Sequence, residues 1–161
     1  MATRAEVLAD RIASGAEEFI AAIEGLSDEQ WQTPCGDERR SVGVLVHHVG
    51  TMYPIEADVV RMLAENGEAP GVDWPAVHGI NADHATANAA ADKAAAIALV
   101  RTNVRAAVDA VRGLSDAQLD RVAPNGLAWN APMTVQNFIE NHPIAHPYSH
   151  LDSIRAALNG A

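Results

Sequence analysis

The sequence predicts an all-α protein: a four-helix bundle with a long crossover connection between its second and third helices. Three observations carry this expectation. Apolar residues recur at three- and four-residue spacing in four long segments, Ser/Thr caps and glycines punctuate those segments, and no stretch alternates with period two as a strand would. With 161 residues and 48% hydrophobic composition, the chain suffices for a single domain, 1–161, with a core of its own.

The first helix opens on a capping box, Thr3 with Glu6, and carries a stripe at Val7, Leu8, Ile12, Ala16, Phe19, Ile20 and Ile23 before Gly25 closes it. Ser41 caps a second helix bearing Leu45, Val49, Met52, Val59 and Leu63, with a kink expected at Pro54 and Gly67 past its end. Pro70, Gly71, Pro75 and Gly79 mark 66–79 as a loop or crossover. A third helix is expected from about Asp83 to Arg112 through Ile97, Val100, Val104, Val108 and Val111, stopping at Gly113. Thr134 opens the fourth, with Val135, Phe138, Ile139, Leu151, Ile154 and Leu158 leading to Gly160. Four long amphipathic helices with one long connection read as a bundle. The halves also echo each other. Leu26-Ser27-Asp28-Glu29-Gln30 returns as Leu114-Ser115-Asp116-Ala117-Gln118, and each copy precedes a Ser/Thr-capped helix that bears histidine. Either a helix-pair duplication or the chance recurrence of good caps accounts for this.

Composition removes several function classes. Net charge is −10 with 11 basic residues, Lys93 is the lone lysine, and no basic cluster exceeds Arg39-Arg40, so no nucleic-acid partner is expected. No apolar run is long enough to span a bilayer, and the N-terminus lacks a basic-then-apolar signal pattern, so no membrane association is expected. Cys35 has no second cysteine to pair with, which fits a reducing cytoplasm. The apolar content allows a homodimer through one helix face, without marking which face.

Histidine carries the chemistry. His146 and His150 lie four residues apart, about 40° around one helix face, and His48 sits in a separate helical segment. Converging, they supply three neutral nitrogen ligands and leave coordination positions open, the arrangement of a catalytic rather than a closed structural metal site. His142 falls about 80° from His150 and reads as a supporting or surface residue; His47, His78 and His84 read as ordinary core or surface histidines. The competing reading is an accidental histidine cluster. Pro143 and Pro147 sharpen that contest, because each removes a backbone donor, and the helix should bend or restart near 142–147. Glu56, Glu140 and Asp152 are candidate acid/base groups, with solvated surface carboxylates as the simpler account. Cys35 has no sequence neighbour that lowers its pKa and reads more readily as inert than as a nucleophile. Trp31, Trp74 and Trp129 either wall a pocket mouth or cap the bundle core, and Asn81 and Asn137 are unranked ligand contacts.

At these residues the chain resembles the DinB/YfiT-like superfamily of small metal-binding four-helix proteins, which includes the N-terminal metal domain of mycothiol-dependent maleylpyruvate isomerase and the bacillithiol transferases. The carrying segments are Leu26-Ser27 to Trp31, Pro34, Ser41-Val42-Gly43-Val44-Leu45-Val46-His47-His48-Val49, and His146-Pro147-Tyr148-Ser149-His150-Leu151-Asp152-Ser153-Ile154. The family's capping Ser/Thr precedes the ligand His by seven residues, which selects His48 over His47. The resemblance implies a divalent metal, Zn or Ni most often, on His48, His146 and His150. His stands where the isomerase branch carries a carboxylate ligand, so the chain looks closer to the general DinB-like group than to the isomerase.

Three neutral imidazoles leave a bound dication its full charge, able to deprotonate a coordinated thiol or lower the pKa of water to about 7. The expected function is therefore a metal-dependent enzyme that transfers a low-molecular-weight thiol of the mycothiol or bacillithiol type, or uses it to assist isomerisation. Its partners would be a small-molecule electrophile and the thiol cosubstrate. The alternatives are a metallohydrolase and a non-catalytic, metal-stabilised ligand-binding bundle.

Overall fold

A computed structural model describes residues 1–36, 40–68 and 71–160; Arg39 and Pro70, singled out above, lie outside the described residues. Four helical columns form the bundle: α1 (Arg4–Ile23), α3 (Val42–Asn66), α5 (Lys93–Arg112), and a last column in which α7 (Val135–Ile139) continues through a π-helical turn (Glu140–Ile144) into α8 (Ala145–Asn159). The column of α1 packs against α5 and α8, and α3 packs against α5 and the α7–α8 column, so each column has two neighbours. One-turn helices α2 (Asp28–Trp31) and α6 (Asp116–Leu119), a crossover helix α4 (Trp74–Ala87) and a short 3-10 turn (Gly126–Ala128) lie between the columns.

The caps form as the sequence requires. Thr3/Glu6, Ser27/Gln30 and Ser115/Gln118 are all reciprocal capping boxes, and Ser41 and Thr134 each accept a backbone N–H of the helix they open. Leu8, Ile12, Phe19 and Ile23 of α1, Leu45, Val49 and Leu63 of α3, Ile97, Val100 and Val111 of α5, and Phe138, Ile139, Leu151 and Ile154 of the last column form one continuous core. Val7 faces outward instead, one position off the buried stripe. Helix α3 and α5 approach closely at Gly50, where a Cβ would meet the Val100 backbone nitrogen at 3.0 Å. Asn103 Nδ2 donates to the Gly50 carbonyl there. The lone lysine, Lys93, donates from Nζ to the Leu26 carbonyl, tying the start of α5 to the chain just beyond α1.

The crossover over 66–79 carries the start of a helix: Asp73 caps α4 with its side chain, and Pro75 sits in the first turn, where its missing N–H costs nothing. Two expectations need correction. The third long helix starts at Lys93, capped by Asp92, rather than near Asp83. Two short antiparallel ladders also exist, β1 (Pro34–Cys35) with β2 (Arg40–Ser41), and β3 (Val122–Asn125) with β4 (Ala131–Thr134). Strands of two to four residues are too short to show a period, and prolines in both ladders disguise them.

The ladders complete the internal echo. Each half runs long helix, one-turn capped helix, two-stranded ladder, then Ser/Thr-capped helix bearing histidine. Trp31 and Leu119, each four residues after the capping serine, are buried at equivalent places. The Val42 N–H donates to the Thr33 carbonyl and Val135 to Arg121, closing each unit. This order places α3 and α7–α8 in matching positions.

Candidate metal centre

His48 lies in the first half of α3, 5% exposed, on the side of that helix facing the last column. The π-helical turn settles the matter of the prolines. Pro143 cannot donate, and the ladder of hydrogen bonds widens so that the Ala145 N–H reaches the Glu140 carbonyl, five residues back. Helix α8 then begins at Ala145, so Pro147 falls in its first turn, where no intrahelical donor is required. His146 and His150 remain one regular turn apart and point at His48.

The three rings converge. His146 Nε2 and His150 Nε2 are 2.8 Å apart, and one nitrogen from each of the three rings lies within 4.8 Å of the others. The His48 ring stands at 87° to His146 and 90° to His150, with centroids 5.1 and 5.2 Å away. Metal–nitrogen bonds of ~2.0–2.1 Å put tetrahedral ligand nitrogens roughly 3.3 Å apart, a spacing these distances bracket. Burial opposes protonation: it holds His48 down at about 2 and His150 at about 3, reinforced by the neighbouring rings and by the Arg40 charge. Uncharged rings keep the lone pairs that a cation needs, so the donor set fits a divalent metal.

Glu56 is not the solvated carboxylate that its position in the sequence suggests. It is 3% exposed, and its Oε1 lies 3.0 Å from His146 Nδ1, though not aligned as a hydrogen bond. With Nδ1 facing a carboxylate, Nε2 is left toward the triad, the tautomer that a metal ligand needs. Glu140 and Asp152 are surface groups as expected, paired with Arg11 and Arg155 respectively.

His84 is a second correction. It reaches in from α4, its Nε2 2.9 Å from His47 Nδ1 and its ring edge-on to His48 at 5.4 Å. The pair His47–His84 therefore borders the triad from the crossover side. His142 stacks on Phe138 at 4.2 Å rather than joining the three, and the Trp74 and His78 rings lie 5.8 Å apart away from it. Cys35 is buried, its thiol pushed up by desolvation and donating to the Thr33 carbonyl, which leaves it inert. The tryptophans divide. Trp31 is buried over Gly43 with its Nε1 on the Ala91 carbonyl, Trp74 donates to the Leu127 carbonyl at the cavity rim, and Trp129 is 93% exposed.

The triad forms the floor of a cavity of about 540 Å³, within the ~300–1,000 Å³ range of small-molecule sites. Its walls are mostly apolar, from α3, α4 and the β3–β4 connection, and Asn81 lies on them. Asn137 does not line it; Asn141 does. Signals for these residues exist in the sequence. His48, Met52, Glu56 and Val59 lie along one face of α3, and Trp74, Val77, Asn81 and His84 along one face of α4, once that segment is read as helix.

Comparisons with known proteins agree with this architecture. The family model described as DinB superfamily matches residues 11–154. No curated protein matches the chain. Among solved structures, YfiT from Bacillus subtilis, described as a probable metal-dependent hydrolase with an unusual four-helix bundle topology, superposes with a TM-score of 0.66. The two are 18% identical, and the match covers 94% of this chain and 89% of that one.

Proposed function

The chain belongs to the DinB superfamily, and from that premise we propose that it is a divalent-metal-dependent enzyme acting on a small molecule held in the cavity above His48, His146 and His150. The observation that carries the reading is the convergence of three imidazoles, one buried and two half-buried, at the foot of an open, apolar cavity, with Glu56 behind one of them. Zn or Ni bound there would supply Lewis acidity toward a thiol or a water molecule. The protein's own residues do the rest. Glu56 faces His146 Nδ1 and leaves Nε2 toward the ion, and burial keeps His48 and His150 uncharged. The apolar walls thin out competing water and strengthen electrostatic interactions at the floor.

The reaction proposed first is transfer of a low-molecular-weight thiol of the mycothiol or bacillithiol type to an electrophile, or isomerisation assisted by it. Cys35 is buried and inert, so the nucleophile must come from outside the chain. Metal-loaded protein incubated with mycothiol, bacillithiol or glutathione and an electrophile should form conjugate, and His48→Ala should abolish it. No turnover with any of the three thiols would remove the thiol reading. Hydrolysis is the second reading, favoured by the carboxylate among the cavity-lining groups and by the description of the YfiT structure. It would show as ester or amide cleavage without added thiol. A non-catalytic metal-stabilised bundle would consume nothing in either assay. The cytoplasm and the absence of a nucleic-acid partner remain part of the proposal. Among the described residues no helix is long and apolar enough to cross a membrane.

A further inference from the structure

Two adjacent histidines of α3 serve different neighbours. Consecutive helical positions diverge by about 100°, so while His48 turns to the last column, His47 turns to the crossover helix α4. There it meets His84. His47 Nδ1 and His84 Nε2 are 2.9 Å apart, and the rings are tilted at 38° with centroids 5.1 Å apart. Thr51 Oγ1 lies 3.4 Å from the same His47 nitrogen and donates its own proton to the His47 carbonyl, so its lone pairs stay available. The spacing repeats that of the triad, whose His146 and His150 nitrogens are 2.8 Å apart. Two ring nitrogens approach so closely only where at least one is unprotonated. To share an ion they need part by only a few tenths of an ångström, to roughly 3.3 Å.

Packing does not explain why His84 turns inward. None of the described residues of α4 is buried, so this helix gains little apolar burial by lying on α3. His84 Nδ1 is nevertheless shut off from solvent with no protein partner. One neutral hydrogen bond between the rings does not outweigh that orphaned nitrogen, because its net gain is no larger than the penalty for an unmet buried polar group. A cation coordinated by both rings holds them more strongly, since its binding energy adds to the stability of the folded chain. Both residues are half-buried, open enough for water to complete the coordination of an ion.

We propose that His47 and His84, with Thr51 beside them, form a second and weaker cation site for Zn²⁺, Ni²⁺ or Cu²⁺ that bridges α3 and α4. Imidazole donors select these transition-metal dications over Mg²⁺ and Ca²⁺, which take oxygen ligands. With two protein nitrogens rather than three, the site holds its ion less tightly than the triad, fills only with added metal and empties on dialysis. When filled, it ties the crossover helix, a wall of the cavity, to the helix that positions the triad. It shares no ligand with the triad and does not depend on the reading above.

Zn²⁺ titrated calorimetrically into metal-stripped protein should show one tight equivalent and a second bound at least ten-fold more weakly. His47→Gln and His84→Gln should each remove the weaker equivalent and keep the tight one. His78→Gln, which alters an exposed histidine of the same helix, should keep both. The double variant His146→Gln/His150→Gln should lose the tight equivalent and keep the weaker, which separates failure of this site from failure of the triad. If the triad binds no ion, a single weak equivalent that vanishes in His84→Gln still supports the bridging site. Amide exchange across 77–88 should slow at least five-fold as the weaker equivalent binds to unaltered protein, and not in His84→Gln. The proposal is overturned by a weaker equivalent that survives both His47→Gln and His84→Gln, by one lost equally in His78→Gln, by none up to millimolar Zn²⁺, or by unchanged exchange in α4. Because α4 buries none of its described residues, His84→Gln leaves the core intact and the test readable.

Discussion

Glu56 shows what a single residue contributes. Its carboxylate, 3.0 Å from His146 Nδ1, orients one ring of the triad from behind. Glu56→Gln keeps the shape and removes the charge. Metal affinity should fall about 10–100-fold, the usual cost of losing such a supporting group, while the fold is retained. Competition against a chromophoric chelator measures this; an unchanged affinity would mean that the carboxylate plays no part in ligand orientation. His146 and His150 were legible from spacing because they share a helical turn, and the family resemblance, in which a capping Ser/Thr stands seven residues before the ligand, selected His48 over His47. Glu56 was less so. Burial of a carboxylate follows from what packs opposite, and the π-helical turn that brings His146 against it has no periodic signature.

Among the elements, α3 positions the site, and its own position is set by how closely α5 can approach. Gly50→Ala would place a Cβ 3.0 Å from the Val100 backbone nitrogen and from Leu99 Cγ. Because backbone cannot move aside cheaply, destabilisation of about 1–3 kcal/mol is expected, read as a shift in the urea midpoint at constant slope. A neutral substitution would show that the two helices are not in the contact described. The four columns, their caps and their apolar stripes could be read from the sequence, since each long helix shows its own period. Crossover helix α4 could not, because none of its described residues is buried and its polar and apolar positions trace no core stripe. Its inner face serves the cavity instead, which is why Ile80 and His84 gained meaning only with α3 opposite them.

At the scale of the whole molecule, burying neutral histidines makes stability depend on pH. Both His48 and His150 titrate near 6.5 when unfolded and far lower when folded, at about 2 and about 3. As pH falls the unfolded chain therefore takes up protons first. The metal-free protein should be fully stable above about pH 6.5 and lose stability progressively below it, by at most ~1.4 kcal/mol per pH unit for each ring. The melting temperature followed from pH 8 to 4 should fall on the acid side, and the double variant His48→Gln/His150→Gln should flatten that fall. An unaltered slope in the double variant would contradict the assignment of buried neutral rings.

Function in this fold turns on His48, from one half of the echoed fold, meeting His146 and His150 from the other around one ion. Elemental analysis of protein purified without a histidine tag or metal column tests this most directly. About one equivalent of a divalent transition metal per chain is expected in the unaltered protein, falling to near zero in folded His48→Ala and His146→Ala variants. A chain that carries no metal under any loading condition, or variants that keep the full equivalent, would contradict it.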